Sequence, residues 1–180
     1  DYLWSETYNR ELKDVLAVQS EIAIEIAKAL KARLTDEVRT NISKEASSNI
    51  TAYEYFLRAR EVAGRYNGNK SDVENVFPLI NKAIALDPHF AQAYALKARL
   101  WFLMRTFGVI QNVWQDSAFY FCERAIMEDR NIPEPYVTQA YLYSFIGDSK
   151  SAQSAVEKAY TVAPGNPEAM STYGNILLRN

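Results

Sequence analysis

The sequence predicts an all-α chain of helix pairs stacked in tandem, and three observations carry that prediction. The 180 residues hold only six Gly and six Pro, too few for a loop-rich β sandwich. Three Pro-bearing junctions recur: Ala-Leu-Asp-Pro-His-Phe-Ala-Gln-Ala-Tyr at 85–94, Ile-Met-Glu-Asp-Arg-Asn-Ile-Pro-Glu-Pro-Tyr at 126–136, and Val-Ala-Pro-Gly-Asn-Pro-Glu-Ala-Met at 162–170. Each joins one apolar helix to the next. Small and large residues also return at a long interval, because Ala83, Ala125 and Ala159, and Tyr53, Tyr94, Tyr136 and Met170, fall 34 to 42 residues apart. That is the range of a repeated helix pair.

The underlying period is 34 residues, and the first two units carry insertions of 7 and 8. The extra residues belong between the helices of a pair, since Tyr53 to Ala83 spans 30 positions and Tyr94 to Ala125 spans 31, against 23 for Tyr136 to Ala159. They are expected to lengthen the helices by about two turns in total, leaving 67–70 and 108–112 as exposed loops. Start and stop signals agree with this layout. Ser71 with Glu74 reads as a capping box, Asn166 precedes Pro167 and Glu168 at a helix start, and Gly108, Gly147 and Gly165 follow helix ends.

Towards the N-terminus, residues 1–8 alternate as an extended strand. Leu12, Val15, Leu16, Gln19, Ile22, Ala23, Ile26 and Leu30 then recur at helical spacing, which predicts one amphipathic helix over about 9–33. With no other strand to pair with, residues 1–8 are expected to fray, to lie against the helices or to pair with the same strand of a second copy in a homodimer, with packing or pairing favoured because it buries Trp4 and Tyr8.

Composition removes most enzyme chemistry. A single Cys122 excludes an internal disulfide framework and thiolate metal clusters, and a single His89 excludes the usual imidazole metal sites and most His-based catalysis. No cofactor and no metal are expected. Glu21 and Glu25 share a helix face, yet no nucleophile or His accompanies them, so they read as a solvated surface. His89 reads as a surface turn residue and Cys122 as buried filler. The stretch Gly-Arg-Tyr-Asn-Gly-Asn-Lys at 64–70 lacks the strand and the Gly-Lys-Ser/Thr ending of a phosphate loop. A formal charge of −2 gives no reason to expect nucleic acid or an anionic membrane. The apolar runs are far shorter than the roughly 20 residues of a membrane span. Without a signal peptide a cytoplasmic location is expected, or a periplasmic one if a membrane span lies upstream, since the chain opens on Asp1 without Met and reads as a piece of something longer.

Residues 50–180 resemble the tetratricopeptide repeat. The third unit carries the pattern most fully, with Tyr136, Ala140, Tyr143, Gly147, Ala152, Val156, Ala159 and Pro164. The second has Tyr94, Ala98, Trp101, Ala118, Cys122 and Ala125, with Arg130 where the family closes on Pro. The first closes with Ile80, Ala83 and Pro88 but has Leu57 and Arg60 where a small residue and an aromatic are expected. A fourth unit begins with Met170, Tyr173, Gly174 and Leu177 and stops after one helix, leaving Ile176 and Leu177 without a covering second helix. The resemblance implies a right-handed superhelix of antiparallel helix pairs, with units at 50–90, 91–132, 133–166 and 167–180. In such a stack the small residues Ala98, Ala140 and Gly174 permit close helix approach.

The N-terminal residues resemble another family. Leu-Trp-Ser-Glu-x-Tyr-Asn-Arg-Glu-Leu-Lys-Asp-Val-Leu-Ala-Val-Gln-Ser-Glu-Ile-Ala over 3–23 is similar to the last strand and helix of the TolB-like domain that precedes tetratricopeptide repeats in many multidomain bacterial signalling proteins. Ala52, Tyr53, Phe56, Leu57 and Arg58 match the segment that follows it there. The resemblance makes 1–49 a strand-helix remnant of that domain plus a linker. It also implies a non-catalytic interaction or regulatory segment of a larger bacterial protein, a regulatory part of a nucleotide cyclase, or a homo-oligomerisation unit.

By carry-over from the repeat family, first helices line a concave groove that takes a protein or peptide partner. The groove-facing candidates are Arg58, Gln92, Arg99, Phe102, Tyr141 and Asn175. The fifth position of each unit, where a chaperone-tail clamp needs Lys, holds Glu54, Ala95, Val137 and Ser171. That clamp is absent, and the mixed surface suits a peptide with acidic and apolar groups.

Overall fold

A computed structural model of the protein describes residues 49–65, 70–106 and 114–177, together with Ile22, Glu25 and Ser47. The chain divides into Asp1–Ile50 and Thr51–Asn180. In the first part Ile22 and Glu25 are helical, and Ser47 Oγ accepts the Asn49 amide at 3.1 Å. The strand expected at 1–8, its pairing with a second copy, and the rest of the helix at 9–33 lie outside the described residues.

The second part holds seven helices among the described residues: α1 (Ile50–Gly64), α2 (Lys70–Leu86), α3 (Ala91–Thr106), α4 (Trp114–Glu128), α5 (Glu134–Ile146), α6 (Ser149–Val162) and α7 (Pro167–Leu177). No strand is present among them. They form the pairs α1–α2, α3–α4 and α5–α6, with α7 opening a further unit. Gly147 and Asp148 alone connect α5 to α6, and so short a link between packed helices makes them antiparallel. The first two pairs have helices of 15 to 17 residues against 13 and 14 in the third. The insertions therefore lengthen helices only in part. The rest falls at 66–69 and 107–113, where the loops expected at 67–70 and 108–112 lie outside the described residues, apart from the helical Lys70.

The three junctions close through the same hydrogen bond. The amide of Asp87 donates to the Ala83 carbonyl at 2.9 Å, that of Asp129 to Ala125 at 2.9 Å, and that of Ala163 to Ala159 at 3.1 Å. At the first two, the aspartate then accepts the amide two residues on, His89 to Asp87 at 3.0 Å and Asn131 to Asp129 at 2.9 Å. This Asx turn redirects the chain. A tyrosine one turn into the next helix fastens it, with Tyr94 donating to the Pro88 carbonyl at 3.1 Å and Tyr136 to the Arg130 carbonyl at 3.2 Å. Only the carbonyl of the residue after Asp is used, so Arg130 serves as well as Pro88.

Helix caps follow the sequence signals in part. Gly147 adopts φ 82°, its N–H donating to the Ser144 carbonyl at 3.3 Å while the Asp148 N–H reaches the Tyr143 carbonyl at 2.9 Å. This is the two-bond ending that favours glycine. Asp148 then caps α6 by accepting from the Ser151 amide at 3.0 Å, and Asn166 caps α7 by accepting from the Ala169 amide at 2.9 Å. Two expectations fail. Helix α2 already contains Lys70 and Ser71, so Ser71 is not its cap. Gly165 follows α6 but does not cap it: Ala163 is the capping residue, at φ −142° and ψ 77°, and Gly165 has no positive φ. Gly108 lies outside the described residues.

The core is shared between pairs. Ala59, Val76, Ile80 and Leu100 bring together α1, α2 and α3; Ala98, Trp114, Ala118, Cys122 and Leu142 join α3, α4 and α5; Tyr136, Val137, Ala159 and Ala169 join α5, α6 and α7. Each cluster draws on three successive helices, so no pair encloses its apolar residues alone. Tyr94 and Tyr136 are 7% and 8% exposed because Ala125 of α4 and Ala159 of α6 pack against them. Met170 occupies the equivalent slot in α7 and is 53% exposed, there being no following helix among the described residues. Ile176, expected to lack cover, is instead buried against Ala140, Ala155 and Val156 of the preceding pair. Gly174 is not a close-approach position either, since a Cβ built there meets nothing within 4 Å. Cys122 is fully enclosed, and burial, with the Glu123 charge adding to it, raises its thiol pKa.

Two outcomes follow from this packing. Tyr136→Phe removes the bond to the Arg130 carbonyl and should lower unfolding free energy in urea by about 0.5–1.5 kcal/mol. The Cys122 thiol should ignore Ellman's reagent in the folded protein and react after unfolding; fast modification under native conditions would contradict its enclosure.

Candidate peptide-binding groove

Among the described residues a cleft of about 210 Å³ is lined by Arg99, Phe102, Leu103, Thr138 and Tyr141. Its walls are the first helices of two successive units, α3 and α5. On α5 the stripe Glu134, Thr138, Tyr141 and Phe145 repeats at helical spacing, and on α3 Arg99, Phe102 and Leu103 share one turn. The Phe102 and Tyr141 rings stack at 5.9 Å with 11° between their planes. Phe145 meets Phe102 edge-on at 6.2 Å and Trp114 at 5.2 Å, with the Arg105 guanidinium 5.4 Å above the Phe145 ring. The buried Thr172 of α7 donates its hydroxyl proton to the Tyr141 hydroxyl at 2.9 Å and so fixes the ring from the third helix.

A charge cluster lies at the other end of the cleft. Arg99 of α3 is ion-paired with Glu168 in the first turn of α7. Glu134, in the first turn of α5, is close enough to both for their charges to act on it. Partial burial raises the pKa of the Glu134 carboxyl, and the charges of Glu168 and Asp129 raise it further, against lowering contributions from its backbone hydrogen bond and Arg99. His89 projects from its turn and contacts Glu128 at 2.8 Å, and Arg124 contacts the same carboxylate at 2.8 Å.

Of the six residues expected to face the groove, Arg99, Phe102 and Tyr141 converge on the cleft. Arg58 on α1 and Asn175 on α7 are exposed away from its lining, and Gln92 is half-buried in the first turn of α3. Sequence reasoning missed Leu103 and Thr138. Ala95 and Val137, at the fifth position where a chaperone-tail clamp would need Lys, are both 2% exposed and belong to the core. The expected Arg99, Phe102 and Tyr141 stay on the face, and Leu103 and Thr138 beside them complete it; the Glu134, Thr138, Tyr141, Phe145 spacing was the available signal. Among the described residues no group of three or more His, Cys, Asp and Glu could hold a metal, and no helix is long and apolar enough to cross a membrane. What the cleft offers is an aromatic surface, a hydroxyl, and a few charges held in place.

No family model matches the chain. A curated relative, "Putative adenylate cyclase 3" of Rhizobium meliloti (strain 1021), is 27% identical over 158 residues, taking in 86% of this chain and 26% of that protein. The chain thus spans about a quarter of that relative's length. Among solved structures, the first TPR domain of Spaghetti (RPAP3) bound to HSP90 peptide SRMEEVD aligns with a TM-score of 0.57 at 13% identity, over 74% of this chain and 96% of that one. The TPR2B domain of yeast Sti1 in its Hsp70 complex gives 0.56 at 21% identity, over 73% and 99%. A thermophilic TPR protein of Thermus thermophilus gives 0.52 at 16% identity, over 93% and 80%. The described helices have the tetratricopeptide-repeat fold.

The Glu134 environment generates a pH prediction. A carboxyl whose folded pKa is raised favours the folded state below its unfolded value, about 4.3, and that contribution is lost as pH rises through the folded value. Glu134→Gln should therefore raise the melting temperature at pH 7, with the gain shrinking towards pH 4. A variant that is stabilised equally at both pH values would show that ionisation of Glu134 is not the cause.

Proposed function

We propose that this chain is a non-catalytic protein-interaction segment of a larger bacterial signalling protein, and that it binds a peptide portion of its partner through the α3–α5 cleft. The observation that carries this reading is the half-buried aromatic surface of Phe102 and Tyr141, held open between successive first helices and flanked by charge. Partially exposed aromatics next to arginine are the residue types that dominate interface energetics. A cleft near 210 Å³ suits one or two side chains better than a metabolite, whose pockets run about 300–1,000 Å³. The tetratricopeptide domains of Spaghetti and Sti1 are themselves seen with peptide or chaperone partners.

Photo-crosslinking tests this reading directly. A benzophenone amino acid at Leu103 should capture a protein partner in cells of the source organism, whereas the same group at the exposed Tyr120 on α4 should not. Capture at Tyr120 with none at Leu103 would move the interaction to another face.

The adenylate cyclase relative favours one second reading, in which the segment regulates a nucleotide cyclase domain of the same polypeptide. A cyclase catalytic domain encoded in the full gene would support it, and a gene encoding no such domain would dismiss it.

A further inference from the structure

The charges around the cleft specify a partner more narrowly than the fold does. Arg99 would be the obvious receptor for an acidic side chain, but it is already engaged by Glu168 of α7. Glu134 opens α5 one turn before the cleft residue Thr138, within range of the charges of Arg99 and Glu168, so carboxylates outnumber the guanidinium at that end. A carboxylate short of counter-charge gains most from an incoming cation, and loses most from another anion. The aromatic end of the cleft has the opposite requirement, since Phe102 and Tyr141 offer ring faces and edges to an apolar or aromatic side chain.

Resting on the groove reading above, we propose that the cleft recognises a peptide segment pairing an aromatic or large apolar residue with a lysine or arginine. The aromatic residue packs against Phe102 and Tyr141, and the cation reaches the Glu134 carboxylate. Their separation is set by α5. Glu134 precedes Thr138 and Tyr141 by one and two turns, about 6 to 10 Å along the helix. An extended peptide covers that distance in two or three residues. The segment is therefore basic and aromatic, opposite in charge to the HSP90 peptide SRMEEVD carried by the Spaghetti domain.

Selection from a phage-displayed library of random dodecapeptides on the immobilised 180-residue chain tests this. The expected consensus holds Lys or Arg two or three residues from an aromatic. A synthetic peptide of that consensus should bind at least about tenfold tighter than its twin with Glu in place of the base. Glu134→Gln, a surface change unlike any in the core, should weaken the basic peptide about threefold or more and leave a peptide lacking the base unaffected. Enrichment of aromatic-acidic peptides whose binding is lost in Phe102→Ala would overturn the charge assignment and leave the groove reading standing. Equal affinity of the basic peptide for Glu134→Gln and the unmodified chain would also overturn it. Failure to enrich any peptide, or enrichment of peptides indifferent to both Phe102→Ala and Glu134→Gln, would overturn the groove reading itself.

Discussion

Where the helices of this stack pack together, the enclosed side chain is repeatedly a single methyl group. Ala59, Ala83, Ala98, Ala118, Ala125, Ala140, Ala152 and Ala159 are all wholly enclosed. Helix axes pack about 8 to 10 Å apart depending on the residues at the contact, and alanine sets the close end of that range. Close crossings leave the larger volume beside them to be filled by Tyr94, Trp114, Tyr136 and Leu142, which are buried in the clusters shared between pairs. The same closeness makes every pair depend on the next, because Leu100, Leu142 and Ala169 each complete the core of the unit before their own.

The cleft is a consequence of that register. Once α3, α5 and α7 lie in order, residues one helical turn apart on each present a continuous face, and Phe102, Tyr141 and Thr172 meet across three helices. The ion pair of Arg99 with Glu168 spans the same three, from the second unit to the fourth. Partly exposed pairs of this kind contribute little to stability, about 0–1 kcal/mol. Their effect is on orientation and on the charge that a partner meets. An arginine that would otherwise invite an acid is occupied, and a carboxylate with a raised pKa stands beside it.

Most of the helical register was legible in the sequence, because the spacing of alanine and tyrosine reports directly on which residues must be enclosed. Ala83, Ala125 and Ala159 end their helices through equivalent bonds, and Tyr94 and Tyr136 fasten equivalent turns. The turn chemistry was misread. Proline drew attention at these junctions, yet Asp87 and Asp129, each four residues after a periodic alanine, supply the shared Asx geometry. The groove was legible in only half of its expected residues. A repeat alignment fixes which helices face it and so finds Arg99, Phe102 and Tyr141, but it does not fix which neighbours on those helices complete the lining, and Thr138 does so while Val137 is enclosed. Glu168 was legible as a residue of a helix start; that it would neutralise Arg99 was not, because the two are 69 residues apart in sequence.

Equilibrium unfolding of a single series of variants tests the close-packed register most directly. Ala83→Leu, Ala125→Leu and Ala159→Leu alter equivalent enclosed positions in three successive pairs, and Ala85→Leu alters an exposed position of the same helix as Ala83. Each of the first three should lose about 1–3 kcal/mol, because a crossing closed on a methyl group has no room for three more carbons. The Ala85 variant should stay within about 0.5 kcal/mol of the unmodified chain. If any of the three enclosed variants proves as stable as Ala85→Leu, the alanines do not set the helix crossings and the register built on them is wrong.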